Sequence, residues 1–169
     1  MTTSATNNDL VENFLANAER LYGPRFVGIS FEVQETGPRG PLHTDFNPST
    51  NHAIIRIPSG LSDLDRAGQL AQETIHVLSP ATPDEATVFD RGLATFFAVG
   101  ECQYCPPRER RNYLDALEAV SRFNDMCPTA IRCLRSVQPR VALIKEEDIV
   151  RACNRLGRET AHFLVRRSY

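Results

Sequence analysis

Hydrophobic positions follow two periodicities in the first third of the chain. Apolar side chains recur every three or four residues over 9–22, which predicts a helix, and Gly23 follows its end. The segments FVGISFEV (26–33) and HAIIRIP (52–58) alternate and predict strands, the second one ended by its proline. Between them, 36–50 is rich in glycine and proline and predicts a loop.

Helical periodicity then continues to the C-terminus. In the motif SDLD, Ser62 is a capping residue and Asp65 completes a capping box, which predicts a helix over 62–78. The motif TPDE, with Thr82 as its cap, predicts that the next helix runs over 83–99. Four further helices are predicted at 106–125, 128–137, 146–154 and 157–167.

The order of these elements indicates the fold class. A helix, at least two strands and then helices to the end is an α+β arrangement. A chain of 169 residues suits one domain, 1–169, and the polar residues 1–8 are expected to be disordered.

Composition narrows the classes of partner and the expected location. A net charge of −2 provides no long-range attraction to nucleic acid or to an anionic membrane, and no apolar run approaches the ~20 residues of a membrane span. The basic stretch 108–111 is interpreted as the solvated start of a helix. Because the N-terminus lacks the basic and apolar segments of a secretory signal, we expect a cytoplasmic protein.

Five cysteines are present, and an odd number cannot all pair within one chain. Cys102 and Cys105 have CxxC spacing, and Cys127 and Cys133 lie downstream. A redox motif requires a strand-to-helix turn and a zinc site a second close pair, and neither is predicted here. We therefore expect buried or reduced structural thiols, with a functional CxxC as the alternative.

The stretch QETIH carries the candidate chemistry. Gln72 and His76 lie one helical turn apart on the same face, with Glu73 between them in sequence. Arg91 follows fifteen residues after His76 and opens the run Arg-Gly-Leu-Ala. Two histidines at positions 72 and 76 would bind zinc, and a glutamate at position 73 would activate the metal-bound water.

Residues 53–98 resemble the gluzincin branch of the zincin metallopeptidases. The resemblance implies that Gln72, His76 and Arg91 occupy the three metal-ligand positions and that Glu73 occupies the general-base position. It also implies a small sheet packed on the motif helix, which is the predicted helix 62–78 that carries QETIH. It further implies a C-terminal helical layer and a strand at 52–58 on the edge of a substrate cleft.

Two of the three ligand positions depart from that pattern. The Gln72 amide is a poor zinc ligand, and Arg91 offers no acceptor and keeps its proton. One good ligand in three will not hold zinc tightly, so we expect no metal cofactor and no peptidase chemistry. We expect an ion pair between Glu73 and Arg91 to replace the metal.

Two functions remain open at this point. The first is a catalytically inactive zincin-like domain, a binding or regulatory protein with a cleft for a peptide or protein segment. The alternative is an active metal-dependent hydrolase that binds zinc through His76, Gln72 and a carboxylate such as Asp90. Adjacent helical residues point about 100° apart, so Asp90 reaches this site only if its helix is rotated from the family's arrangement.

A simpler interpretation accompanies both functions. An ExxH sequence arises in helices by chance, and a Gly-Leu-Ala run is also typical of close helix packing. His43 and His52, in and beside the loop before the second strand, are expected to be exposed.

Overall fold

The computed structural model describes residues 6–104 and 111–168 and has an α+β fold. Its described residues form a three-stranded mixed sheet, seven α-helices and a 3-10 helix at Val141–Leu143. No helix within these two ranges is long and apolar enough to cross a membrane. The strands are β1 (Ser30–Thr36), β2 (His43–Asn47) and β3 (His52–Pro58). The helices are α1 (Asn7–Tyr22), α2 (Asp63–Leu78), α3 (Val88–Cys102), α4 (Arg111–Met126), α5 (Ala130–Val137), α6 (Glu146–Ala152) and α7 (Arg158–Val165).

The strand β3 lies at the centre of the sheet. It pairs in parallel with β1 and antiparallel with β2, so the strand order is β1-β3-β2. Alternate residues Ala53, Ile55 and Ile57 are buried, as the period-2 pattern predicts. The assignment of this strand to the cleft edge is wrong, because both of its sides are paired and β2 forms the edge.

Three element boundaries in the N-terminal part differ from the predictions. β1 begins at Ser30 rather than at residue 26, and β2 forms inside the predicted loop. β2 pairs along its length with β3, so its hydrogen bonds come from the sheet and not from a local signal. α1 begins at Asn7 because Thr6 and Asp9 form a capping box, so the predicted disorder fails at residues 7 and 8. Residues 1–5 of that prediction lie outside the described residues.

The central helix pair begins at two capping residues. Ser62 accepts a hydrogen bond from the Asp65 amide at the start of α2, so the predicted Ser62 cap is confirmed. The predicted capping box is not formed, because the Asp65 carboxylate accepts from the Ser62 hydroxyl rather than from its amide. The predicted start of α3 is wrong, since this helix begins at Val88 with Thr87 as its cap. The Glu85 carboxylate accepts from the Thr82 amide, and together these residues close a turn rather than a helical cap.

The central helix α2 contacts most of the N-terminal elements. α2 contacts the sheet and α1 on one side and α3 on the other, and α3 contacts α4 and α7. Gly92 allows α3 to approach α4 closely, because a Cβ at this position would lie 2.5 Å from the Ala116 carbonyl oxygen of α4. The glycine of the Arg-Gly-Leu-Ala run therefore has a packing role of its own.

Arg135 joins the ends of α1 and α2. Its side chain is 4% exposed, and its guanidinium donates to the carbonyls of Tyr22, Gly23 and Pro24 after α1 and of Leu78 at the end of α2. Burial lowers the pKa of Arg135 to about 10, so the side chain remains charged at neutral pH. A cation at two helix C-termini satisfies carbonyls that lack partners within their helices.

Cys127 and Cys153 form a disulfide, with their Cα atoms 6.0 Å apart. The expectation of reduced thiols is therefore wrong for this pair. Cys102 and Cys133 are free, and Cys105 lies outside the described residues, as do residues 106–110 of the helix predicted over 106–125. Disulfides persist mainly in oxidising compartments, so this pair is unusual for a cytoplasmic protein. The cytoplasmic location stays a prediction.

Candidate functional site

A cavity of about 240 Å³ opens between α2, α3 and the edge strand β2. Polar and charged side chains from three elements line it, and short side chains of the 81–86 segment complete the wall. Its polar and charged lining residues include Thr44, Gln72, Glu73, His76, Asp90 and Arg91.

Glu73 is almost buried, with 7% of its surface exposed. Its Oε2 accepts a hydrogen bond of 2.7 Å from the Thr44 hydroxyl of β2. The carboxylate is thus held against the edge strand, and one of its oxygens is already engaged. Thr44 is a residue of the predicted loop, so the sequence offered no signal for this contact.

His76 pairs with Asp90 across the two helices. The imidazole Nδ1 lies 3.2 Å from Asp90 Oδ2, and the exposed fractions of the two side chains are 27% and 2%. Burial opposes the charged imidazole, but the charge and hydrogen bond of Asp90, together with Glu73, outweigh it and raise the pKa of His76 to about 9. His76 is therefore a cation at neutral pH.

Asp90 is the carboxylate that the alternative function would use as a zinc ligand. Its Oδ2 faces His76, and its Oδ1 is buried without a hydrogen-bond partner among the described residues. α3 is thus oriented so that Asp90, and not its neighbour Arg91, makes the contact with the motif helix.

Gln72 turns its amide toward α3. Its Nε2 donates to the Thr95 hydroxyl at 3.2 Å, and Thr95 in turn donates to the Arg91 carbonyl. This chain of bonds is buried, and it fixes the Gln72 side chain in the wall between the helices.

Arg91 lines the cavity but does not form the expected ion pair with Glu73. Its guanidinium carbon lies 4.8 Å from the centre of the Tyr113 ring of α4, a cation–π arrangement. The positive charge of Arg91 acts on His76 and opposes its protonation, so the two groups are close enough to interact. Within the described residues, Arg91 makes no ion pair.

The two loop histidines, which were expected to be exposed, are partly buried. His43 is half-exposed, lines the cavity, and pairs with Asp45 at 3.0 Å. His52 is partly buried and shares a hydrogen bond with Ser30 of the neighbouring strand. Only His43 belongs to the site.

The residues at the three ligand positions do not fit a tight zinc site. His76 would have to lose its proton and its contact with Asp90, Gln72 would have to leave Thr95, and Arg91 would repel the dication. Among the residues that the structure describes, no group of three or more histidine, cysteine, aspartate or glutamate side chains is arranged to hold a metal ion.

Comparisons of this chain with known protein families, with curated proteins and with solved structures find no match. What the structure defines is therefore a class of architecture: an α+β protein whose edge strand and two central helices enclose a charged cavity.

Proposed function

We propose that this protein is a non-catalytic, zincin-like binding domain that holds an extended peptide beside β2. The observation that carries the proposal is that each metal-ligand position of the resemblance is engaged by another part of the protein. Gln72 bonds to Thr95, His76 pairs with Asp90, and Arg91 stacks on Tyr113.

The edge strand supports the peptide-binding part of this proposal. One side of β2 pairs with β3, and its other side pairs with no strand in the described chain. Such an edge offers backbone donors and acceptors to an extended segment. Leu42, His43 and Thr44 also line the cavity, so a peptide on this edge would place a side chain at the opening.

Metal content and thermal unfolding test the non-catalytic part. We expect the same melting temperature with and without EDTA, and no stoichiometric zinc after purification, because no described contact requires a metal. The double variant Gln72→His/Arg91→Glu is the matched control, since it restores the ligand types of the resemblance and is expected to gain zinc binding. No zinc binding by a folded double variant would show that the positions are assigned wrongly.

Peptide binding is tested with a pool of hexapeptides blocked by acetyl and amide groups, with amide hydrogen exchange as the readout. We expect the amides of residues 43–47 to gain protection when the pool is added. Unchanged exchange over this strand at saturating peptide would reject the proposed function.

The adjacency of Asp90 and His76 favours one alternative, a metal-dependent hydrolase that uses His76, Gln72 and Asp90. This alternative requires cleavage of a peptide library that chelator abolishes and zinc restores. It also requires a bound metal that is lost on His76→Ala. We expect neither, because the protonated imidazole is already committed to Asp90.

A further inference from the structure

Arg91 stands between two cavities. It lines the cavity beside β2, and it also lines a second cavity of about 220 Å³ between α3, α4 and the C-terminal segment. Ser168 lines both, so the two spaces adjoin at these residues.

The second cavity has an excess of positive charge. Arg91, Arg166 and Arg167 line it, and among the described lining residues Asp115 is the acidic one. None of the three arginines forms an ion pair with another residue in the described ranges. The Arg166 guanidinium lies over the Phe163 ring at 6.0 Å, and Arg167 donates to the Glu85 carbonyl.

The negative charges of the first cavity are already engaged. Asp90 neutralises His76, and Glu73 accepts a bond from Thr44. Arg91 therefore remains as the cation without a carboxylate partner in the described residues. A guanidinium held on an aromatic ring is pre-oriented to bind a carboxylate through two parallel hydrogen bonds.

We propose that these adjoining cavities bind the carboxylates of an acidic peptide, with one carboxylate on Arg91 and a neighbouring one facing Arg166 and Arg167. This inference rests on the proposed function, which places the peptide backbone along β2. The carboxylate on Arg91 comes either from an aspartate or glutamate side chain or from the C-terminus of the peptide, and the chemistry of recognition is the same for both.

Matched pools of hexapeptides test the proposal. The first pool is blocked at both ends and carries glutamate or aspartate at two neighbouring scanned positions; the second carries glutamine or asparagine there. The third has a free C-terminal carboxylate and one glutamate or aspartate beside it. We expect the first or the third pool to bind at least about tenfold more tightly than the second, and rising ionic strength to reduce the difference.

Variants assign that preference to named residues. Arg91→Gln is expected to remove the preference, and Arg91→Lys to retain part of it, because lysine keeps the charge but not the planar fork. Arg155→Gln, at an exposed arginine that lines neither cavity, is expected to change nothing. If Arg91→Gln does not fold, the double variant Arg166→Gln/Arg167→Gln, on two exposed side chains, tests the same preference.

The outcomes separate this inference from the proposed function. Equal binding of all three pools, unchanged by Arg91→Gln or the double variant, would overturn the carboxylate inference and leave peptide binding standing. Failure of every pool to bind would overturn both. A preference for the first pool assigns the carboxylate to a side chain, and a preference for the third assigns it to the C-terminus.

Discussion

At the scale of single residues, the contact between His76 and Asp90 decides the character of the site. His76 is a cation that its neighbour on α3, Asp90, keeps protonated. The pair replaces the predicted bond between Glu73 and Arg91, and it leaves Arg91 with no ion pair in the described residues.

This contact predicts a pH-dependent stability. Folding raises the pKa of His76 from 6.5 to about 9, so the stabilisation is complete below pH 6.5 and is lost as pH rises to about 9. We expect the free energy of unfolding to fall by about 3 kcal/mol over this interval. Urea unfolding followed at several pH values measures it.

Asp90→Asn assigns that pH dependence to the pair. Removal of the carboxylate is expected to abolish most of the decline between pH 6.5 and about 9. Glu146→Gln is the matched control, because it removes the partner of His162 in an exposed pair at a similar distance of 3.0 Å. A wild-type protein with constant stability over this range would contradict the assignment.

Arg135 carries a second prediction at the residue scale. Arg135→Ala removes the guanidinium donor from three carbonyls at the end of α1 and one of two donors to the Leu78 carbonyl of α2, so we expect a loss of about 3–5 kcal/mol in the free energy of unfolding. Arg132→Ala in the same helix removes one exposed bond to the Arg20 carbonyl and is expected to cost under about 1 kcal/mol. Similar losses for both variants, measured by chemical denaturation, would argue against the role of Arg135.

At the scale of elements, the approach of α3 to α4 depends on a glycine. In Gly92→Ala the new methyl group would meet the Ala116 carbonyl oxygen at 2.5 Å, so the helices must separate. We expect a loss of about 1–3 kcal/mol, as for other insertions into a packed interface. Thermal unfolding checks this value.

Gly100 in the same helix provides the comparison. A Cβ there would have no neighbour within 4 Å, so Gly100→Ala is expected to be neutral or to stabilise the protein by up to about 1 kcal/mol. If both alanine variants changed the free energy of unfolding by the same amount, helix propensity rather than packing would explain the effect of Gly92→Ala.

At the scale of the whole molecule, the disulfide joins the end of α4 to the end of α6. Its cysteines are 26 residues apart in sequence. The chain entropy of such a loop predicts that reduction lowers the free energy of unfolding by about 3–4 kcal/mol. Thermal unfolding with and without reductant measures the change. The variant Cys127→Ser/Cys153→Ser should unfold at the same temperature under both conditions. Free thiols at both positions in the purified protein would contradict the pairing.

The sequence by itself determined the elements whose signals are local. The α+β order, the alternation of β3 and the Ser62 cap of α2 follow from residues within one or two turns of each other, and the structure contains all three. The QETIH spacing likewise placed Gln72 and His76 on one helix face, because that relation depends only on the helical period.

Only the tertiary structure decided the features that depend on another element. The strand β2 exists because β3 supplies its hydrogen bonds, and the disulfide forms because α4 and α6 bring two cysteines together. The clearest example is that Asp90, and not Arg91, contacts His76. These neighbours point about 100° apart on the helix, so only one of them can face α2. The rotation of α3 against α2 selects which of them meets His76, and that rotation depends on contacts between separate elements, which are not encoded within α3 alone.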